Sequence, residues 1–519
     1  MANEQQSAQQ AVGWVIYPIG SKPKWGLAFF LGFQHFLTMF GATISIPHLV
    51  GGAMGFPADQ LAILVATCFL VGGITTWTQQ LIGNKLPIIQ GGSFAFLGPV
   101  FAIIGMVQVQ GGGWQMCIQH VAGAIMFASV FEIILGYSGI MGKIKKLIGP
   151  LSIGPTITMI GLALYATGAP SMAGNWTVSL ITLISLIVYS QVFSRKSRFF
   201  LLFPVISAIA TGWIVAAIGT LAGWIPAGNA ANLTEAFKNI AAAPWFTVKP
   251  YIPFKWGFPS NGTILLAGTF GMLAAYLASM VESIGDYHSC AKMSEAPPPT
   301  EKMISYGLGA EGVGCLIAGL LQSGGGSTSY SENIGAIGLT RVASRRVVRA
   351  GASIMIVLPL IGKLFSVFAS LPSPVIGAMY VGLFGLIAAV GLNNLQYVNL
   401  NNSRNLFILG LCLFGGLSFP IAFSPIRDNF STKLAQVGPS VGTVIGLIVF
   451  TILSTPMAIA AITGIVLDNI LPGATREERG FAYWEKEATP EAWEKAEAEW
   501  AKMKEGEERK LAGFESSQK

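Results

Sequence analysis

The sequence predicts an all-α polytopic membrane protein of fourteen transmembrane segments arranged as two inverted seven-segment repeats. Three observations carry this reading: a scarcity of charge, the number of apolar runs, and the alternation of Lys and Arg along the loops. Of the 519 residues, 52% are hydrophobic and 11% charged, whereas soluble domains carry about a quarter charged residues. Half of the acids, 12 of 24, fall within Thr475–Lys519. The remainder cannot cover a water-facing surface. This excludes a cytosolic enzyme, a nucleic-acid-binding protein and a disordered chain. The net charge of +7 is the charge expected of basic loops on one side of a membrane.

A spanning helix takes about 20 mostly apolar residues. Such stretches run near 25–48, 59–82, 118–142, 148–168, 177–193, 200–223, 262–287, 303–322, 346–370, 373–393, 405–424 and 440–468. Two further segments, 86–106 and 327–340, are apolar but open with glycine and serine clusters. With fourteen crossings the even-numbered loops hold Lys85; Lys143, Lys145 and Lys146; Arg195, Lys196 and Arg198; Lys292 and Lys302; Arg341, Arg345 and Arg346; and Arg404. The exceptions on the other side are 224–261 and the expected loop with Arg427 and Lys433. Both termini are therefore expected in the cytoplasm of a cell membrane.

An odd-numbered unit, when duplicated, sits in the membrane in opposite orientations. The expected divisions are a cytoplasmic segment 1–24, a first repeat 25–223, an extracytoplasmic loop 224–261, a second repeat 262–470 and a charged cytoplasmic tail 471–519. The opening MANEQQSAQQAVGW is polar, so no removable signal peptide is expected. The tail reads as a solvated extension able to form an amphipathic helix, with no chemistry assigned. The five cysteines lack CxxC spacing and read as small core residues.

Ionisable groups within spans are costly and mark function by default. Five carboxylates qualify: Glu132, Glu282, Asp286, Glu311 and Glu332. Asp468, at the end of the last span, reads as interfacial. Glu282 and Asp286 are four residues apart and share a helix face. Glu332 follows the Gly/Ser/Thr run of Gly324–Tyr330, where backbone N–H groups are expected to be free. The third and tenth segments, opening with Gln90-Gly-Gly-Ser-Phe-Ala-Phe96 and Ser323-Gly-Gly-Gly-Ser-Thr-Ser-Tyr-Ser-Glu-Asn-Ile-Gly335, stand at matching positions of the two halves and point to a transporter site. Carboxylate acceptors beside backbone donors suit a planar ligand with alternating N–H and C=O groups, such as uracil or an oxopurine. Glu132 and Glu311 fit either an ion pair inside the bundle or a functional acid. His35 fits either a packed hydrogen-bonding residue or a site residue, and Phe94 and Phe96 either a stacking face or core.

At Gln34-His35, Ser93-Phe94-Ala95-Phe96, Glu282-Ser-Ile-Gly-Asp-Tyr287 and Glu332-Asn-Ile-Gly-Ala-Ile-Gly-Leu-Thr-Arg341, the chain resembles the nucleobase–ascorbate transporter family, also called the nucleobase:cation symporters. The resemblance spans roughly 25–480 and includes Ser403-Arg-Asn-Leu-Phe407 and Leu467-Asp-Asn469. It implies core and gate domains, an elevator-like motion, a homodimer, and short strands in the half-length third and tenth segments. It also implies that Glu282 and Glu332 accept hydrogen bonds from ring N–H groups. The backbone amides of Phe94 and Ser331 would donate to ring carbonyls, with Ser93 and Tyr330 beside them. His35 would support the site. Asp286, with Glu311 and His35, would be the candidate for cation coupling, by a proton or by sodium near Asp286. Asn333, Gly335, Thr340 and Arg341 complete the signature. No cofactor, enzymatic activity or nucleic-acid partner is implied.

Within the family, much of 282–425, including Pro297-Pro-Pro299 and Asn394-Leu-Gln396, is most similar to the animal sodium-dependent vitamin C branch. That branch has proline where this chain has Glu332, and xanthine and urate relatives tend to have glutamine there; glutamate is the uracil-type choice. Uracil permeases often have histidine at the position of Asp286. An ascorbate anion would be repelled by a second carboxylate, so uracil is the expected substrate, with ascorbate or a purine such as xanthine as the alternative.

Overall fold

The structure, a computed structural model, describes residues 15–437, 440–481 and 489–503. The first 14 residues of the expected N-terminal segment 1–24, residues 438–439 and the tail stretches 482–488 and 504–519 lie outside the described residues. Among the described residues, ten helices are long and apolar enough to cross a membrane, or eleven if one bent pair counts as a span. The chain is thus a mostly helical polytopic membrane protein. Large apolar side chains such as Phe30, Leu221 and Phe414 stay exposed, as they do where lipid is the solvent.

In chain order the principal elements begin with α1 (Trp25–Met54), α2 (Ala58–Ile82), strand β1 (Gln90–Gly92), α3 (Leu97–Val109) and α4 (Trp114–Tyr137). There follow α5 (Pro150–Leu162), α6 (Tyr165–Met172), α7 (Trp176–Ile187) and α8 (Pro204–Leu221). The second half runs through α9 (Gly262–Met293), α10 (Glu301–Leu320), strand β2 (Ser327–Ser329), α11 (Ser331–Thr340), α12 (Arg345–Val357) and α13 (Gly362–Ala369). It ends with α14 (Ser373–Asn394), α15 (Ser403–Val437), α16 (Val441–Leu453) and α17 (Pro456–Ile470), and α18 (Pro490–Ala501) follows in the tail.

Local sequence sets several boundaries. Helix α1 stops at Gly55, whose left-handed φ of 77° turns its N–H back to Gly51 and Gly52 carbonyls. Helix α9 starts where the Asn261 side chain accepts from the N–H groups of Thr263 and Ile264. Thr300 caps α10 in the same way through Met303.

The ten long helices coincide with ten of the fourteen expected segments. The other four are interrupted, each for an identifiable reason. The third and tenth open as β1 and β2, which pair antiparallel with Gln90 opposite Ser329 and Gly92 opposite Ser327. The eleventh, expected as one run over 346–370, breaks at Leu358–Leu360, where Pro359 removes a backbone donor. The last, expected as one run over 440–468, bends by 82° between α16 and α17, with Pro456 opening the second piece. In the opposite direction, α15 continues through Arg427 and Lys433 to Val437, where a loop was expected.

The tail also departs from a solvated extension. Helix α18 is capped by Thr489 and buries Trp493 and Trp500. Trp493 Nε1 donates to the Pro298 carbonyl at 2.8 Å, and Glu497 pairs with Arg345 at 2.7 Å. The tail thereby closes one side of a cavity of about 1350 Å³ over the ends of α2, α4 and α10.

Candidate functional site

The site is built where the two interrupted segments meet. Three backbone and side-chain ties lock the strand pair in place. Ile89 N–H donates to Asn333 Oδ1 at 2.8 Å, Gln90 N–H to Thr76 Oγ1 at 2.8 Å, and Tyr330 N–H to the Ile89 carbonyl at 3.0 Å. The glycines here answer to space. A Cβ on Gly91 would lie 2.6 Å from the Tyr330 ring, and one on Gly326 2.5 Å from the Phe96 ring.

Beyond the strands, the chain turns into α3 by a short helical turn over Phe94–Phe96, whose first N–H groups are capped in part by Ser93. It turns into α11 at Ser331. Tyr330, the residue before α11, provides no side-chain cap, and the first N–H groups of a helix have no carbonyl of their own helix to donate to. The two half-helices therefore present positive dipole ends to one space.

That space is a cavity of about 320 Å³, at the lower end of small-ligand pockets. One wall combines Thr38 of α1, Ser93 and Phe94, Glu282 of α9, and Thr328–Glu332 with Gly335. Much of the remaining lining is apolar: Ile157 of α5, Val205 of α8, and Leu383, Leu386 and Val390 of α14. Phe94 meets Phe384 edge-to-face at 5.1 Å, and Phe384 stacks on Tyr380 at 5.2 Å. No Lys, Arg or His lines the cavity among the described residues. Glu282 and Glu332 thus share one chamber, and Glu282 Oε2 is buried with no hydrogen-bond partner among the described residues.

The other expected residues sit one layer back. His35 is buried in α1, with Nδ1 2.9 Å from Asn333 Nδ2 and Nε2 unpartnered. Asp286 accepts from Ser331 Oγ at 2.7 Å, which ties α9 to the start of α11. Glu311 accepts from Ser283 Oγ at 2.6 Å, Ser329 Oγ at 2.6 Å and Tyr287 OH at 2.8 Å. Thr340 and Arg341 end α11 away from the cavity. The Arg341 carbonyl accepts from Ile16 and Tyr17 N–H groups, so these two signature residues anchor the chain.

Asp468, in the last turn of α17, is enclosed by protein. It is 1% exposed and lies between Arg404 at 2.8 Å and Arg479 at 2.9 Å, so the two late motifs meet as one buried ion-pair cluster. Sequence reasoning missed Thr328, Ser329 and Gln90 as a relay: Gln90 Nε2 donates to Ser329 Oγ at 2.9 Å, and Ser329 donates to Glu311. The signal was their place beside the glycines. The apolar wall from α5, α8 and α14 left no signal in runs of uniformly apolar sequence. All five cysteines are buried and unpaired.

The model of the "Permease family" matches residues 26–424. The mouse protein "Solute carrier family 23 member 2" is 39% identical, with 91% of this chain and 76% of the relative covered. The rat "Solute carrier family 23 member 1" is 38% identical, covering 91% and 82%. "Nucleobase-ascorbate transporter 1" of Arabidopsis thaliana is 35% identical, covering 91% and 92%. Among solved structures, the transmembrane domain of the cyanobacterium bicarbonate transporter BicA aligns with a TM-score of 0.50 and 13% identity, over 85% of this chain and 96% of that one, a likeness of fold alone. With its paired interrupted segments and a family match over most of its length, the chain belongs to the nucleobase–ascorbate transporter family of membrane permeases.

Proposed function

We propose that the chain is a secondary active symporter that imports a neutral nucleobase, with uracil the best fit, together with a proton or sodium ion. The observation that supports this most is the shared cavity of Glu282 and Glu332, free of basic side chains and flanked by two half-helix N-termini. Two acids without counter-charge favour a ligand that brings hydrogen-bond donors. Helix N-termini favour the carbonyl oxygens of the same ring. In this reading Glu282 and Glu332 accept from ring N–H groups, the amides of Phe94 and Ser331 donate to ring carbonyls, and Ser93 and Tyr330 shape the floor. His35 acts through Asn333. Cation coupling falls to Asp286, Glu311 and His35.

The transport cycle follows from the two unlike walls. Counting the four interrupted segments gives fourteen crossings in two inverted repeats, 25–223 and 262–470, joined by 224–261. The strand-bearing body carries the polar wall past the apolar wall of α5, α8 and α14 as an elevator, in a homodimer, with both termini in the cytoplasm of a cell membrane. A second reading, ascorbate, stands beside nucleobase in the names of the plant relatives; it requires a sodium ion beside Asp286 to offset the charge. Uptake of radiolabelled uracil by proteoliposomes, with proton and sodium gradients imposed separately and with uracil, xanthine and ascorbate as competitors, tests this. Self-competition by uracil is expected. Failure of unlabelled uracil to compete refutes the reading.

A further inference from the structure

We propose that Glu132, on α4 and outside the substrate cavity, is a proton-carrying site whose charge partner is Glu311. The inference rests on the reading of the chain as a cation-coupled symporter, and it deepens that reading by naming the cation and by adding Glu132 to Glu311 among the acids that carry it.

The two acids have opposite surroundings. Glu132 is 1% exposed, and neither of its carboxylate oxygens has a hydrogen-bond partner among the described residues. Glu311, 2% exposed, accepts from three hydroxyls, those of Ser283, Ser329 and Tyr287. Their helices touch backbone to backbone at this level. A Cβ on Gly312 would lie 2.7 Å from Ile133 N and 3.1 Å from the Glu132 carbonyl carbon, and one on Gly136 would lie 2.2 Å from Gly309 N.

Among the described residues, the hydroxyl and thiol groups near Glu132 on the packed helices donate elsewhere, while Tyr137 OH, farther along α4, has no partner. Glu311 and Cys315 of α10 and Tyr276 and Tyr287 of α9 lie within electrostatic range of Glu132. Tyr276 donates to the Ile125 carbonyl at 2.7 Å, Tyr287 to Glu311, Cys315 to the Ser327 carbonyl at 3.3 Å, and Ser129 to the Met126 carbonyl at 2.7 Å. On α4 itself His120 is bound to Met116 and Asn261. Helix α3 has no titratable side chain. The histidines of α1 are held by Asn333 and by the Ile44 carbonyl. The cation Lys146 pairs with Glu301 at 3.3 Å instead. Farther along α9, Glu282 and Asp286 add further acids.

Among the described residues, an ionised Glu132 would therefore stand without donor or counter-charge in a membrane interior, at a cost of several kcal/mol. Glu311, supplied with donors, is the member that holds the negative charge, so one proton resides on Glu132. The link to substrate is short. Ser329 donates to Glu311 and also lines the cavity, so an occupant that draws on Ser329 weakens the stabilisation of Glu311 and raises the hold of the acid pair on its proton.

Two measurements test this. In proteoliposomes, wild-type protein accumulates uracil about tenfold per pH unit of inward acid gradient for each proton carried. Glu132→Gln is expected to exchange uracil across the membrane at equilibrium yet lose the accumulation, while Glu132→Asp keeps it. Accumulation by Glu132→Gln at the wild-type level overturns the proposal, as does wild-type accumulation driven by sodium alone. Infrared difference spectra of the substrate-free protein decide the protonation independently. A carboxylic-acid carbonyl band present in wild type and lost in Glu132→Gln supports the proposal, and an unchanged band overturns it. If the wild type moves no uracil under either gradient, the symport reading fails while the spectrum still decides the state of Glu132.

Discussion

Asn333 bridges to His35: its amide nitrogen lies 2.9 Å from His35 Nδ1, while its amide oxygen accepts from the Ile89 N–H at 2.8 Å. One buried side chain thus fixes the entry to β1, the start of α11 and the middle of α1. Leaving a buried donor or acceptor unsatisfied costs about 1–3 kcal/mol each. Asn333→Ala is therefore expected to lower the apparent melting temperature of the purified protein and to abolish uptake. Wild-type stability would remove Asn333 from this role.

Gly91 and Tyr330 are in direct contact, with no room for a methyl group. Overpacking typically costs about 1–3 kcal/mol. Gly91→Ala is expected to destabilise by that order and to weaken substrate binding. Gly91→Ala/Tyr330→Ala is expected to regain the stability without regaining binding. Thermal unfolding of the two variants side by side checks this.

Asp468 is the shared anion of Arg404 and Arg479. Removing one member of a buried pair costs about 3–5 kcal/mol because a charge is left alone. Asp468→Asn is expected to fall in that range. Arg404→Met/Asp468→Leu is expected to cost less than the single change, which a double-mutant cycle on melting temperatures reads directly.

Lys255 lies in the 224–261 connection. Its ammonium donates to the Leu321 carbonyl and sits 4.7 Å over the Trp256 ring. Burial pushes its pKa down to about 7. The unfolded chain keeps this proton to about pH 10.4, so between these values the unfolded state binds more protons and stability rises with pH. The melting temperature of wild type is expected to climb from pH 7 toward 10 relative to Lys255→Met. A constant difference between the two proteins would contradict this.

What the sequence made legible is what the membrane makes costly. Glu282 and Glu332, rare charges in apolar runs, share a cavity, and the matched clusters at Gln90 and Ser323 fold as the paired strands. Pro359 and Pro456 were visible, but apolar runs continue through both, so the breaks they impose were hidden by composition. Asp468 carried no mark of burial because its partners lie 64 and 11 residues away in sequence. Leu383 and Val390 look like any lipid-facing residue, since apolar side chains serve equally against lipid and against a ligand. The docking of Trp493 onto Pro298 is a tertiary contact that an alternating charged helix does not announce.

The central claim is that Glu282 and Glu332 together hold a neutral nucleobase, and calorimetric titration of purified protein with uracil tests it most directly. Losing a hydrogen bond to a charged group removes about 1.5–3 kcal/mol, roughly a tenfold to hundredfold loss of affinity. The account predicts binding by wild type and a loss of that size in both Glu282→Gln and Glu332→Gln, with the latter shifting toward oxopurines. Uracil affinity unchanged in both variants, or ascorbate binding by wild type with none for uracil, would contradict it.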